Sequence, residues 1–219
     1  MSEKNLLSRY PQSKRIIKNR IKNKESAREV ALKFGKEYFD GDREQGYGGY
    51  YYDGRWLPIA KDIIQHFNLK PGDRVLDIGC AKGFLVHDLM RTLPGLEVYG
   101  LDISEYALFN AHPDVIGRLH LGNATKLPFP DNSFMAVISI NTIHNLERID
   151  CIAALGEIER VAPGRSYVQV DAYRNISEKK IFEDWMLTAK TYGTPNDWNK
   201  IFKEAGFNGD YYWTILEVD

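Results

Sequence analysis

The sequence predicts a doubly wound α/β domain built on a mostly parallel sheet of six or seven strands, with a helical arm at its N-terminus. Three observations predict it. From Arg74 onward, short β-rich runs alternate with stretches of helical periodicity, the order that a parallel sheet flanked by helices requires. The first of these strands runs into a glycine-bearing turn, Gly79 to Gly83, and the next ends in an acid, Asp102, an arrangement suited to the ligand-binding edge of such sheets. The 219 residues, 43% of them hydrophobic, supply a full core for one domain with an appendage and would crowd two.

Along the chain, Ala27, Val30, Ala31, Phe34 and Tyr38 recur at three- and four-residue steps, which predicts one amphipathic helix over 25–39 stopped by Asp40-Gly41-Asp42. The stretch GYGGYYYDGRW, Gly46 to Trp56, is too rich in glycine for a regular element and too aromatic for a plain linker, so a shaped loop is expected. Helical spacing resumes over 57–67 and ends at Lys70-Pro71-Gly72-Asp73. Strands are expected at 74–79, 97–103, 118–123, 134–140, 166–172 and 210–218, where β-branched and aromatic runs are bounded by turn residues. Between them fall helices near 83–92, 104–111, 149–161, 177–190 and 196–205, the last closed by Gly206. An arm with an aromatic lid over 1–56 and a ligand-binding domain over 57–219 follow from this division.

The net charge of −1 hides an asymmetry, because residues 1–24 carry eight Lys or Arg against one Glu. A basic arm can neutralise phosphates, but it lacks the finger spacing, recognition motif and aromatic interleaving of a nucleic-acid module, so a solvated terminal segment is the plainer expectation. No apolar run is long enough for a membrane span and the first residues are polar, which predicts a cytoplasmic protein without a membrane partner. Cys80 and Cys151 have no metal-ligand spacing, so reduced thiols and no metal are expected.

The segment VLDIGCAKGF, Val75 to Phe84, discriminates among nucleotide chemistries. A phosphate-binding loop needs G-x-x-x-x-G-K-[ST], and only G-x-x-x-G is present. A dinucleotide fingerprint starting at Gly79 needs glycines where Ala81 and Phe84 stand. S-adenosylmethionine accounts for what these leave unused: Asp77 near the strand end, Gly79 and Gly83 to admit a ligand to the backbone, a helix N-terminus for a carboxylate, and Asp102 to accept ribose hydroxyls.

At this point residues 55–219 resemble the class I S-adenosylmethionine-dependent methyltransferases. VLDIGCAKG is similar to their first motif, YGLDIS to their second, and GNATKLPFPDNSF with AVISINTIHNL to the segment bearing adenine contacts and its following strand; EIERVAPGR and DWNKIFKEAGF also look like this family. The resemblance implies a Rossmann-like methyltransferase fold and use of S-adenosylmethionine, with S-adenosylhomocysteine as product. It places Asp77, Gly79, Cys80, Ala81 and Gly83 beside the methionine part, Asp102 on ribose, Ile103 against adenine, Asn123 and Ala124 at the adenine amino group, and Ser139 to Asn141 near the sulfonium. Ala81 replaces the usual glycine and asks for a wider turn, and Asn123 replaces a frequent Asp.

For the methyl acceptor, His144 is the first candidate base because imidazole titrates near working pH, with Asp171 as an alternative base or ligand of one metal with nearby oxygens. Tyr50, Tyr52, Arg55, Trp56, Tyr173 and Arg174 are candidate substrate contacts, the arginines as clamps for an anionic group and the aromatics as a lid that excludes water. The Asn/Asp-Pro-Pro-aromatic turn of amino-methylating nucleic-acid enzymes is absent after the fourth strand, where Ser139-Ile140-Asn141-Thr142 stands, and no cysteine is placed for C5 chemistry. A small metabolite, acidic or sugar-like, is the expected substrate, with nucleic acid disfavoured and a homodimer a compatible assembly. The rival readings are a nucleic-acid or protein methyltransferase guided by the arm, and a noncatalytic cofactor-binding subunit.

Overall fold

The computed structural model describes residues 1–11 and 23–216. Lys14, Arg15, Lys18, Arg20 and Lys22 of the basic arm, and the last residues expected in the final strand, lie outside the described residues. Six parallel strands form one sheet: β1 (Arg74–Ile78), β2 (Glu97–Asp102), β3 (Leu119–Leu121), β4 (Ala136–Ile140), β5 (Ser166–Ala172) and β6 (Asp210–Ile215), in the order β3-β2-β1-β4-β5-β6. The chain reverses its direction of travel between β1 and β4, which opens a crevice at their carboxyl ends. Register brings the site to that crevice, since Ile78 lies opposite both Leu101 and Ser139, one residue away from Asp77 and Asp102.

Helices cover both faces, which is why β1, β4 and β5 read as near-continuous apolar runs. One face of the sheet packs Leu76, Ile78, Val137 and Val168 against α6 (Arg148–Val161) and α8 (Pro195–Glu204), whose start is fixed by a Thr194/Asp197 capping box. The other packs Val75, Val98 and Ile138 against α3 (Leu57–Phe67) and α4 (Phe84–Thr92). Among the described residues no helix is long and apolar enough to cross a membrane.

The arm departs from the expected single helix. It forms α1 (Lys24–Ala31) and α2 (Lys36–Asp40), separated by a turn in which Phe34 takes φ +47°. Packing explains the break: Ala27 and Ala31 bury against Leu187, while Phe39 buries against Ala81 and Ala107, and one straight helix of this length would not present both sets. Before the arm, Leu6 and Leu7 are buried in the α3–α4 core, Arg9 pairs with Asp62, and Glu3 bridges Tyr211 of β6. This part of the basic arm is docked rather than solvated. The expected helix at 104–111 is shortened to α5 (Glu105–Phe109), capped by Ser104, and that at 177–190 to α7 (Ile176–Trp185), because Leu187 and Ala189 leave the helix to enter small apolar clusters.

Candidate active site

The β1–α4 turn is held open by backbone conformation. Gly79, Ala81 and Gly83 have φ of +79°, +50° and +72°. A Cβ at Gly79 would overlap the Thr142 side chain, so glycine is demanded there by space as well as by φ. Ala81 adopts the left-handed form without that licence, at a cost of about 1 kcal/mol relative to glycine. What holds it is Asp102, buried at the end of β2: its Oδ2 accepts from Ala81 N at 2.7 Å and its Oδ1 from Ser104 N at 2.8 Å. Cys80 turns away from the crevice and packs against Gly100, and burial pushes its thiol well up.

Asp77, buried beneath the turn, has its pKa raised to about 7, first by loss of water and then by the charge of Asp102. Asp102 is also raised by burial, against the pull of its N–H donors. At the end of β4, the hydroxyl of Ser139 is fully buried and has no hydrogen-bond partner. Ile103, the next residue after Asp102, is 56% exposed, an apolar surface left open beside a carboxylate. Ala124 is buried and Asn123 exposed, its Oδ1 accepting from Thr125 N. Asn141, with φ +52°, donates its N–H to Gln169 O and accepts at Oδ1 from Thr214.

These features fit the cofactor expected from the sequence. A buried carboxyl that ionises reluctantly matches a cationic ammonium, and an exposed isoleucine next to a ribose-type acid gives a base a surface to stack on.

The arm crosses this crevice. On one side Arg28 of α1 reaches Met186 Sδ at 2.8 Å and donates to Ala189 O at 3.0 Å, and on the other the Ser104 hydroxyl donates to Phe34 O at 2.6 Å. Asp40, at the end of α2, is the main tether. Its carboxylate accepts from Lys82 Nζ at 2.7 Å, from the Tyr106 hydroxyl at 2.7 Å and from Tyr50 N at 3.2 Å; the Lys82 and Tyr106 bonds lead in lowering its pKa, against burial. Lys82 is itself buried inside the cofactor turn. Sequence reasoning missed Asp40, Lys82 and Tyr106. A lysine flanked by Ala81 and Gly83 in a buried turn was the available signal, since such a charge requires a partner.

Beyond the tether the lid is aromatic. Tyr50 lies on Phe84 at 4.9 Å and near Tyr47 at 4.6 Å, while Trp56 packs on Tyr10 at 4.7 Å. Burial, then the charges of Tyr10 and Asp77, raises the Tyr50 phenol and keeps it neutral. Tyr52 faces elsewhere, donating to Asp88 at 2.6 Å.

Of the other expected acceptor contacts, Arg55 stands beside this group, its guanidinium 5.9 Å from the Tyr10 ring. Arg55 is paired with Asp53 and Arg174 with Glu178, each through two or more hydrogen bonds, and Tyr173 lies under Lys179. His144 is buried, and its Nδ1 accepts the backbone N–H of Asp171 at 3.0 Å, so its proton sits on Nε2, 3.6 Å from Asp171 Oδ2. Burial lowers its pKa against the opposing pull of Asp171.

A doubly wound parallel sheet with a glycine turn after its first strand and a buried acid ending its second defines a Rossmann-like α/β fold whose ligand-binding crevice lies at the β1/β4 switch point. Residues 75–163 match the methyltransferase domain family. The chain is 29% identical to a demethylmenaquinone methyltransferase of Symbiobacterium thermophilum over 203 residues, spanning 74% of this chain and 80% of that protein. It is 36% identical to that of Geobacillus kaustophilus over 118 residues, half of each chain. In the complex between the Haloferax volcanii Trm112 methyltransferase activator and a methyltransferase, the similar chain matches with a TM-score of 0.55 at 26% identity, over 67% of this chain and 66% of that one. The domain match, the relatives and the shared fold together support a class I S-adenosylmethionine-dependent methyltransferase.

Proposed function

We propose that this enzyme methylates a small, largely apolar acceptor bearing one protic group, under the lid formed by Tyr47, Tyr50 and Trp56. The observation that carries the cofactor half of this reading is the pair of buried carboxyls, Asp77 and Asp102, at one glycine turn with exposed Ile103 beside them. When bound, S-adenosylmethionine supplies an electrophilic methyl group. Asp77 and the Gly79–Gly83 backbone would hold its methionine part, with the Ser139–Asn141 backbone near its sulfonium, Asp102 its ribose, and Ile103 with Asn123 and Ala124 its base.

The residues around the crevice then orient the acceptor and exclude water, which carries much of the catalysis in an in-line displacement. Asp171 holds the acceptor's proton, and His144 acts as a positioning residue, with Nδ1 fixing the Asp171 backbone and Nε2–H directed toward the Asp171 carboxylate. The apolar acceptor replaces the acidic or sugar-like one suggested by sequence, since both guanidinium groups needed to clamp an anion are engaged by carboxylates. The printed names of similar proteins, a demethylmenaquinone methyltransferase and a fatty-acid O-methyltransferase of Mycolicibacterium smegmatis, support the same direction.

Calorimetric titration with S-adenosylhomocysteine, with NAD and ATP as controls, tests the cofactor site; selective binding of the thioether nucleoside is expected. Transfer of labelled methyl into quinol, sterol and fatty-acid acceptors, against sugars and hydroxy acids, tests the acceptor class. Preferred labelling of sugars or hydroxy acids would reject the apolar reading.

A further inference from the structure

Behind the cofactor turn, on the side of α4 facing the loop after α5, lies a cluster that methyl transfer does not use. Its members come from two segments distant in sequence: His87 on α4, and His112 and Asp114 around the short helical turn Pro113–Val115. One ligand atom from each lies within 4.8 Å of the others. His87 Nε2 is 3.2 Å from Asp114 Oδ2, and His112 Nδ1 is 3.9 Å from the same oxygen. A tetrahedral ion with bonds of about 2.1 Å spaces its donors at about 3.4 Å, so the first distance already fits, and His112 Nδ1 would exchange the 3.3 Å bond it accepts from Asp114 N for the ion.

We propose that His87, His112 and Asp114 form a binding site for a borderline divalent transition metal such as zinc, with water in the remaining position. Donor chemistry selects the ion: two imidazoles and one carboxylate favour zinc, cobalt or nickel over magnesium or calcium.

The surroundings are those of a ligand set. His87 Nδ1, the nitrogen turned away from Asp114, lies 3.1 Å from Asp88 Oδ1, the carboxylate–histidine arrangement that fixes a metal-binding tautomer. Asp88 is fully buried, and its Oδ2 has no hydrogen-bond partner, a polar atom left with less compensation than burial demands. Tyr52 donates to Asp88 and packs edge-on against both imidazoles at 4.9 Å. Asp114, with its side chain 67% exposed, leaves the remaining position open to solvent.

The site joins three parts of the catalytic machinery. His87 belongs to the helix that follows the cofactor turn, His112 N donates to Lys82 O in that turn at 2.9 Å, and Tyr52 comes from the lid. A metal there would staple the lid loop to the turn. Sequence gave no warning, because the histidines have no short ligand spacing and Asp88 reads as an ordinary helix acid.

The test is calorimetry of the full chain, stripped with EDTA and titrated with ZnCl2 alone, together with the visible spectrum of the Co2+-loaded protein. One ion per chain is expected, with proton release, a raised melting temperature and an intense tetrahedral or five-coordinate cobalt band. His112→Gln and Asp114→Asn should each weaken zinc binding by at least about tenfold, and Asp88→Asn by about ten- to a hundredfold. His120→Gln, outside the cluster, should change nothing. Circular dichroism checks each fold, and exposed Asp114 gives a variant that keeps the test alive if a histidine substitution fails to fold. Absence of saturable zinc binding would overturn the proposal, as would affinity unchanged by both His112→Gln and Asp114→Asn. S-adenosylhomocysteine binding is measured separately, so failure here leaves the cofactor reading standing.

Discussion

Asp77→Asn isolates the electrostatics of the buried carboxyl beneath the cofactor turn. The Asp77 carboxyl, 5% exposed and repelled by Asp102, titrates near about 7 instead of the ordinary 3.8. At about 1.4 kcal/mol for each tenfold change in proton affinity, this difference amounts to about 4 kcal/mol once the group is fully ionised. A carboxyl with a raised pKa contributes stability that is fully present below its unfolded value and is lost as pH rises through its folded one. Wild-type stability from this group therefore falls between about 4 and 7, whereas asparagine, close in shape and uncharged, has nothing to lose. The variant should gain on wild type by about 2.5 kcal/mol between pH 5 and pH 8, read by urea denaturation at the two pH values without ligand. A difference that stays constant across that interval would refute the buried, reluctant carboxylate. S-adenosylhomocysteine should bind wild type more tightly over the same rise in pH and the variant without that increase, since its ammonium would pair with the ionised form.

Four further outcomes follow. Asp102→Ala should weaken S-adenosylhomocysteine by about 1.5–3 kcal/mol in calorimetry, and unchanged affinity in a folded variant would defeat the ribose assignment. Ala81→Gly relieves a left-handed alanine and should leave stability unchanged or raise it by up to about 1 kcal/mol; a clear loss would mean that the methyl group's packing on Phe39 and Ala107 outweighs φ. Asp40→Asn removes the charge that tethers Lys82 and should speed proteolysis of the 32–56 segment while leaving the sheet's melting behaviour little changed, which limited digestion with mass spectrometry reads. His144→Gln should lower kcat by about tenfold or more with cofactor affinity intact and flatten the pH profile; a kcat equal to wild type would remove His144 from the positioning role.

The sheet was legible because its strands are apolar on both faces and its turns carry Pro, Gly and Asp, so local pattern and tertiary need agree at β1, β4 and β5. The cofactor turn was legible for a related reason: glycines at 79 and 83 are there for φ and space, and the sequence spells that demand directly. The arm was not. Its period-3.6 pattern runs through Phe34, and nothing local says that a phenylalanine will take a positive φ so that two faces can bury on different partners. Lys82 announces a need for a partner, but Asp40 and Tyr106 meet it only after the chain has folded, and alone they read as a turn acid and a helix aromatic. Arg174, expected as an acceptor clamp, is held by Glu178 in the first turn of α7, a nearby acid that offered a local signal for the ion pair.

The docking of the first residues on β6 changes how the sheet's outer edge should be regarded. Lys4 N donates to Tyr211 O and Tyr211 N donates to Ser2 O, while Ser2 also donates to Asp210. An edge strand left bare offers a row of unpaired donors and acceptors to any extended chain, including a second copy of itself. Here a few residues from the opposite end of the chain act as a guard rail on that edge. A fusion or deletion that pulls Ser2 away would turn a closed border into a template for strand addition, and self-association would follow at a surface remote from the active site.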